Sequence, residues 1–300
     1  MTPLFSIIIP TYNRAHLICK TLKSVLEQVY KNFEVIIVDD GSTDNTSRIV
    51  HEFIKKNDLT NFHYYFKENA ERGVARNYGI EIAKGKWITF LDSDDLLYEN
   101  HLKTATEFIN SNFELSVFHS AYEFRDENGI LIKKVKYPTK RDLNDKLIRG
   151  NLCSCFGMFI KNEILNKFKF NENRDLSGTE DWLLWLQIAT QYSIYIQPQV
   201  SGCMTQHSNR SVLSFDENKL LKRKETLINS LLYDQAFISK FGLSAVKQIE
   251  GHMLTYIALH LILMKNKKSG IFYFLKGIFK NKKEIITLRT LAIFKHLLLS

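Results

Sequence analysis

Short apolar runs alternate with longer helical stripes along the first hundred residues. Phe5 to Ile9 is a continuous apolar run stopped by Pro10 and Asn13, the pattern of a buried strand. Ala15, Leu17, Ile18, Leu22, Val25 and Leu26 then recur at helical spacing. Phe33–Val38 reads as a second strand, and Asp44 is placed as N-cap of a helix bearing Ile49, Val50, Phe53 and Ile54. A strand over Phe62–Phe66, a helix over Val74–Ala83 closed by Gly85, and a strand over Trp87–Leu91 continue the alternation. Such alternation predicts βαβ units, hence an α/β domain with a mainly parallel central sheet and helices on both faces.

The pattern loosens after residue 112. Leu115–Phe124 reads as one strand, and Asn128-Gly129 as a hairpin turn before a strand over Ile130–Val135. A short helix over Leu143–Ile148, a strand over Phe156–Ile160 and a helix over Thr179–Ala189 come next. Tyr192–Ile196 and Val200–Thr205 are the last strands. From about residue 216 only helical periodicity remains, with no repeat or low-complexity linker. Residues 1–215 are therefore expected to form one domain, and 216–300 a helical extension.

Composition sets limits without choosing a function. An apolar content of 45% and a charged content of 24% suit a globular protein with a sizeable core. Cys19, Cys153, Cys155 and Cys203 lack disulfide-framework spacing, and Cys153/Cys155 has no second pair for a metal site; reduced cytosolic thiols are expected. The first apolar run is too short, and lacks the basic flank, for a signal peptide. No apolar stretch approaches the roughly 18–20 residues of a membrane span. A cytoplasmic protein is expected.

Charge changes the picture. The net +9 is concentrated at the end: residues 251–300 carry eight Lys and one Arg against Glu284, 9 − 1 = +8, leaving +1 for residues 1–250. A basic segment points to an anionic partner. At about 100° per residue, Lys276, Lys280 and Lys283 share one helix face, flanked by Phe272 and Phe279, with Ile271, Phe274, Leu275 and Ile278 opposite. That suits a helix lying in an anionic membrane interface through 271–300, peripheral on the inner face of the plasma membrane; a solvated face on a packed helix is the plainer alternative. A membrane tail is expected to be removable without loss of the body's activity. Nucleic acid is not an expected partner, because the neutral body offers no matching groove.

Two strands end abruptly in carboxylates: Val38-Asp39-Asp40-Gly41-Ser42 and Leu91-Asp92-Ser93-Asp94-Asp95. Open α/β sheets bind ligands at that rim, and gathered carboxylates repel unless a cation joins them. A hard divalent ion bridging carboxylates and substrate phosphates meets the need. In extended geometry Asp92 and Asp94 would project to the same side. Helix capping needs one carboxylate, and a plain turn accounts for Asp39 and Asp40 only if the second acidic rim is ignored. Glu180 and Asp181 open a predicted helix, where one acid would suffice to complement the dipole.

Four segments resemble, in order and spacing, the family-2 glycosyltransferases of GT-A fold. They are Ser6–Arg14 (Ser-Ile-Ile-Ile-Pro-Thr-Tyr-Asn-Arg), Val38–Asp44, Gly73–Asn77 running on to Asp92–Asp95, and Ser177–Trp182. The resemblance covers roughly residues 4–210 and implies an inverting, metal-dependent hexosyltransferase that uses a nucleoside-diphosphate sugar, a UDP-sugar by preference. It implies Mn2+ or Mg2+ on Asp94, with Asp92 a metal or ribose contact beside Ser93, and His207 as a further ligand. Pro10, Thr11, Tyr12 and Asn13 would wall the base, Asp40 would accept from a pyrimidine ring N–H, and Asp39 would support the turn. Arg76 would reach the Asp40 region or the phosphates, with Arg210 near the diphosphate. Asp181 would be the general base, and Glu180 the fallback. The acceptor would be a cell-surface or lipid-linked glycan. Two rivals stand beside this reading: a catalytically silent nucleotide-sugar-binding module, and a polyanion-binding protein acting through its basic tail.

Overall fold

The computed structural model describes residues 2–112, 114–137, 142–207 and 216–299. Its elements run β1 (Phe5–Thr11), α1 (Ile18–Leu26), β2 (Phe33–Asp39), α2 (Thr46–Lys56), β3 (Phe62–Phe66), α3 (Arg72–Ile82), β4 (Trp87–Phe90) and β5 (Leu96–Leu97). Next come α4 (His101–Asn110), β6 (Val117–Ser120), β7 (Glu123–Asp126), β8 (Leu131–Lys134), α5 (Asn144–Leu147), β9 (Met158–Lys161) and α6 (Asn162–Leu165). Then follow α7 (Glu180–Ile188), β10 (Tyr195–Gln197), β11 (Gly202–Gln206), α8 (Glu217–Tyr233), α9 (Gln235–Leu263), α10 (Lys267–Lys280) and α11 (Leu288–Leu299).

The chain forms two compact units. The first comprises Met1–Leu143, Cys153–Arg174 and Gln191–Asn209, and holds both sheets. Its main sheet is ordered β10-β6-β9-β4-β1-β2-β3, with β5-β11-β7-β8 as a second, four-stranded sheet. β1 and β2 are buried along their whole length, as parallel strands covered on both faces must be. Phe5, Ile7 and Ile9 share a core with Leu22, Val25 and Val50 from α1 and α2, while Ile8 meets Gly79 of α3. Register sets the functional rim. Thr11 pairs with Asp39, and Ile8 with Phe90, so the acidic ends of β2 and β4 emerge at one edge.

Two local expectations change. Leu115–Phe124 is not one strand: β6 pairs with β9 and β10 in the main sheet, whereas β7 pairs with β8 and β11 in the second. Ala121 makes the crossing, donating to Gln197 O while its own carbonyl accepts from Ser201 N. At α2 the N-cap position falls to Asn45. Asp44 instead accepts from the N–H and hydroxyl of Thr46 and from Ala15 N, tying the helix start to the loop after β1.

The second unit comprises Asn144–Leu152, Asp175–Thr190 and the chain from Arg210 onward. The division is therefore not a single cut at residue 215, because α5 and α7 join the C-terminal helices. α7 buries Trp182, Leu183, Leu184, Trp185, Leu186 and Ile188, and a helix apolar nearly all round must be enclosed. Residues 271–300, expected to form a removable tail, contribute to this core. Phe274 and Ile293 pack with Ala258 and Ile262 of α9, and buried Glu284 accepts from Thr255 Oγ1 at 2.8 Å. The expected lysine face also breaks up: Lys280 pairs with Glu250 at 2.7 Å, and Lys283 lies past the end of α10 in the 3-10 turn Lys282–Ile286. Among the described residues no helix is long and apolar enough to cross a membrane.

Two core histidines make the first unit acid-sensitive. His101 Nδ1 lies 2.9 Å from Ser201 Oγ, and His119 Nε2 accepts from Ser154 N at 3.0 Å. Burial pushes His101 down to about 4; burial, with the neighbouring His101 charge, pushes His119 down to about 3. Below its ordinary pKa of about 6.5, an unfolded histidine binds a proton that the folded one refuses. Stability present above that value is therefore lost as pH falls toward 4. The urea midpoint is expected to decline over that window, and His101→Gln, neutral throughout, to flatten the decline whatever it does to absolute stability.

Candidate active site

In the first unit, the carboxylates at the rim each have assigned partners. Asp39 is buried, with Oδ1 accepting from Ser42 N at 2.8 Å and Oδ2 from Tyr64 Oη at 2.7 Å, so it braces the turn after β2. Asp40 is saturated. Lys67 Nζ (2.6 Å) and Ala70 N (3.0 Å) donate to its Oδ1, and Asn69 Nδ2 (3.2 Å) and Glu71 N (2.8 Å) to its Oδ2. Gly41 permits this clasp: at φ +82 it suits glycine, and a Cβ there would sit 2.8 Å from Asn69 N. A base N–H reaching Asp40 must displace one of these four donors, and Lys67, on the most flexible stem, is the easiest to move. Glu71 is held at φ 77, a strained value for a side-chain-bearing residue, by the same carboxylate.

The wall residues divide by role. Pro10 continues β1 and Tyr12 is half exposed. The Thr11 hydroxyl is buried with no hydrogen-bond partner among the described residues. Asn13, at φ 51, accepts through Oδ1 from Thr43 N and Asp44 N, and so ties the β1 loop to the β2 loop.

After β4 the chain turns, with Asp95 N donating to Asp92 O at 3.0 Å. Asp92 and Asp94 therefore address different partners, contrary to the extended geometry expected. Arg76, 1% exposed, donates from Nη2 to Asp92 Oδ1 at 2.7 Å. That contact places the guanidinium beside the carboxylate at the end of β4. Phe170 lies under the Arg76 guanidinium, 5.1 Å from ring centroid to Cζ. Asp94 Oδ2 lies 3.2 Å from His207 Nε2 and 3.9 Å from Arg14 Nη2. Asp95 accepts from Thr205 N at 3.1 Å and so anchors β11, the strand that His207 directly follows. Ser93 is buried inside the turn. Asp94, His207 and Thr205 line a cavity of about 610 Å³, with His16, Lys20 and Arg125 on its other walls.

This pair fits a divalent ion. Among the described residues no three His, Cys, Asp or Glu side chains gather as a complete metal site. A carboxylate and an imidazole within 3.2 Å are nonetheless a competent donor pair for Mn2+. Mg2+ and similar ions in phosphate-handling sites commonly take one or two protein ligands and complete their shell with substrate oxygens and water.

Glu180 and Asp181 belong to the second unit. Glu180, 2% exposed, turns its Oε2 back to accept from Gly178 N at 2.6 Å. Asp181 is half-buried, with Oδ1 accepting from Trp182 N at 2.7 Å and Oδ2 from Asn151 Nδ2 at 2.9 Å. Of the two, Asp181 is the less buried. Lys67, Asn69, Arg14 and Asn151 were not singled out for roles by the sequence; only Arg14 lies inside a recognised motif, and the others carry no pattern of their own. Arg210 lies outside the described residues.

Known proteins resemble this chain over most of its length. A family model described as glycosyl transferase family 2 matches residues 6–168, which span both acidic rims. A Rickettsia conorii protein named uncharacterized glycosyltransferase RC0461 is 32% identical over 313 residues, 98% of this chain and 47% of that protein. The chain thus spans about half the length of that relative. The Escherichia coli UDP-Glc:alpha-D-GlcNAc-diphosphoundecaprenol beta-1,3-glucosyltransferase WfgD is 34% identical over 221 residues, 74% of this chain and 83% of that one. Among solved structures, Staphylococcus aureus TarS 1–349 with UDP-GlcNAc superposes with a TM-score of 0.61 at 20% identity, covering 93% of this chain and 92% of that one. The mannosyltransferase PcManGT of Pyrobaculum calidifontis, with GDP-Man and Mn2+, gives 0.61 at 16% identity, covering 99% and 87%. At these identities the likeness is one of fold.

The Asp94–His207 pair generates a direct expectation. Asp94→Asn and His207→Ala should each remove the Mn2+-dependent part of the thermal stabilisation conferred by a nucleoside diphosphate, because binding to the folded state raises the melting temperature. Metal-free nucleotide should shift the variants as it shifts the parent. Equal Mn2+ dependence in both variants would show that the ion sits elsewhere.

Proposed function

The chain belongs to glycosyl transferase family 2, and from that premise we propose that it moves a hexose from a UDP-sugar to an acceptor hydroxyl with inversion. The setting proposed is cell-surface polysaccharide or lipid-linked glycan synthesis on the cytoplasmic side of the membrane. The observation that carries the reading is the Asp94–His207 pair at the rim shared with Asp39 and Asp40. A UDP donor is supported by the names of WfgD and of the TarS complex. The fold is of the GT-A type, an α/β sheet domain with a helical C-terminal region.

Each residue has a task in this reading. Asp94 and His207 hold Mn2+ or Mg2+, which when bound supplies Lewis-acid stabilisation of the leaving diphosphate. Asp92, pinned by Arg76, faces the ribose or the same ion, and Ser93 shapes the turn between the two acids. Asp40 receives the pyrimidine N–H once Lys67 moves aside; Asp39 keeps the turn rigid, and Pro10, Thr11, Tyr12 and Asn13 wall the base. The acceptor oxygen bonds to the anomeric carbon as the carbon–phosphate oxygen bond breaks, and its proton passes to Asp181. A general base of this kind contributes roughly 10²–10⁴ in rate. A silent binding module would have no use for Asp181, which supports transfer over binding alone. Asp181→Asn should therefore leave nucleotide affinity nearly unchanged and lower UDP release from a panel of UDP-hexoses with Mn2+ by at least roughly 100-fold. An active Asp181→Asn with a crippled Glu180→Gln would move the base to Glu180.

Association with an anionic membrane completes the proposal, through a surface that keeps Lys276, Lys283 and Phe279 of the expected stripe and loses Lys280 to Glu250. Phe279 (87% exposed), Ile286 (84%) and Leu288 (81%) stand on α10, the following 3-10 turn and the start of α11. Lys276, Lys282, Lys283 and Lys295 are exposed on the same elements. Apolar side chains fringed by lysine suit an interface where the chains enter the acyl boundary and each charge adds roughly 1 kcal/mol. Because residues 271–300 are part of the core, the test is substitution, not deletion. Ile286→Glu with Leu288→Glu should abolish flotation with phosphatidylserine vesicles at low salt while leaving UDP release intact. Parent protein that ignores those vesicles would end the membrane claim.

A further inference from the structure

Asp181 is not held by its own helix alone. Its Oδ2 accepts from Asn151 Nδ2 at 2.9 Å, a residue thirty positions earlier in the chain. Asn151 follows Gly150, whose φ of +144 favours glycine and whose Cβ, were there one, would lie 2.8 Å from the His252 ring. The turn is fixed from two sides. Trp182 Nε1 donates to Leu147 O at 2.8 Å, and its ring meets His252 edge-on at 5.5 Å between centroids. His252, on α9, lies 3.0 Å from Arg289 Nη2 of α11 through its Nε2. Burial and the Arg289 charge hold this imidazole well below its ordinary pKa, so Nε2 is free to accept from the guanidinium. Arg289 is itself anchored by His252 O at 2.8 Å and Thr255 Oγ1 at 3.0 Å. The contacts thus run continuously from the C-terminal helices to the Asp181 carboxylate, inside one compact unit.

We infer that Asn151 is a positioning residue for the Asp181 carboxylate, and that the half-buried Arg289–His252 pair sets the turn that presents it. This rests on Asp181 being the general base. Asp181 Oδ1 accepts from its neighbour's backbone N–H and Oδ2 from the Asn151 amide, a bond that orients the carboxylate and stabilises its ionised form. A hydrogen bond donated to a carboxylate favours its charged state; without it the group takes up a proton at higher pH and loses its orientation. Among the described residues, the titratable groups packed around this helix start include Glu180, Arg223 of α8 beside Gly178, and His252. A helical unit that would otherwise read as an appendage therefore has a catalytic purpose: it holds the base.

The full chain is assayed for UDP release from the UDP-hexose panel with Mn2+ across pH, and its Asp181 carboxyl is titrated by carbon NMR after aspartate labelling. Asn151→Ala should lower kcat about tenfold with unchanged donor KM, since orientation and proton affinity are altered while binding is not. The acid limb of the kcat profile and the Asp181 titration should both move to higher pH. The melting temperature should hold, because Asn151 is exposed. Gly150→Ala, which drives a Cβ toward His252, should reproduce the shift if it folds; Asn151→Ala decides the question if it does not. An unmoved limb and an unmoved titration in Asn151→Ala would overturn the inference even if kcat fell. An active Asp181→Asn would instead overturn the base assignment, and the NMR titration would still report whether Asn151 acts on Asp181.

Discussion

Carboxylates crowded at the ends of neighbouring parallel strands are the constraint around which the first unit is organised. β1, β2 and β4 pair in a register that brings their C-terminal ends to one edge, and the chain places Asp39, Asp40, Asp92, Asp94 and Asp95 there. Unpaired, such charges would be costly to bury. Asp39 is satisfied by a hydroxyl and a backbone N–H, Asp40 by a lysine and three further donors, and Asp92 by a buried arginine. Asp95 spends its carboxylate on β11. Asp94 faces an imidazole and, at longer range, Arg14.

The same constraint explains the second sheet. β5 follows directly from the acidic turn and pairs with β11, and the Thr205–Asp95 bond fixes β11 beside it. His207 thereby comes to Asp94 from 113 residues away. Nothing in their spacing along the chain announces this pair; the sheet brings it together.

In the helical unit the organising fact is the burial of α7. A helix with Trp182 and Trp185 enclosed needs partners, and α5 with the C-terminal helices forms the unit it belongs to. The basic character of the last fifty residues is then of two kinds. Arg289 and Lys280 are committed to internal contacts with His252 and Glu250, while Lys282, Lys283 and Lys295 remain at the surface. Net charge alone does not separate these, and only the second group can face an anionic surface.

Periodicity and punctuation determined much of this protein. Continuous apolar runs gave β1, β2 and β4, because buried parallel strands need no alternation, and the carboxylates that stop them marked the rim. Four motifs in order carried the family. What tertiary structure alone decided is pairing between distant groups. Arg76 meets Asp92, and the 67–71 segment, held above Gly41, donates to Asp40. Leu115–Phe124 divides between two sheets because Ala121 bonds to both neighbours at the crossing. Asn151 meets Asp181, and Arg289 meets His252, across thirty and thirty-seven positions. A local pattern records which face of an element is apolar; it carries no record of which polar group on another element will neutralise a charge, and that is settled only when the elements pack.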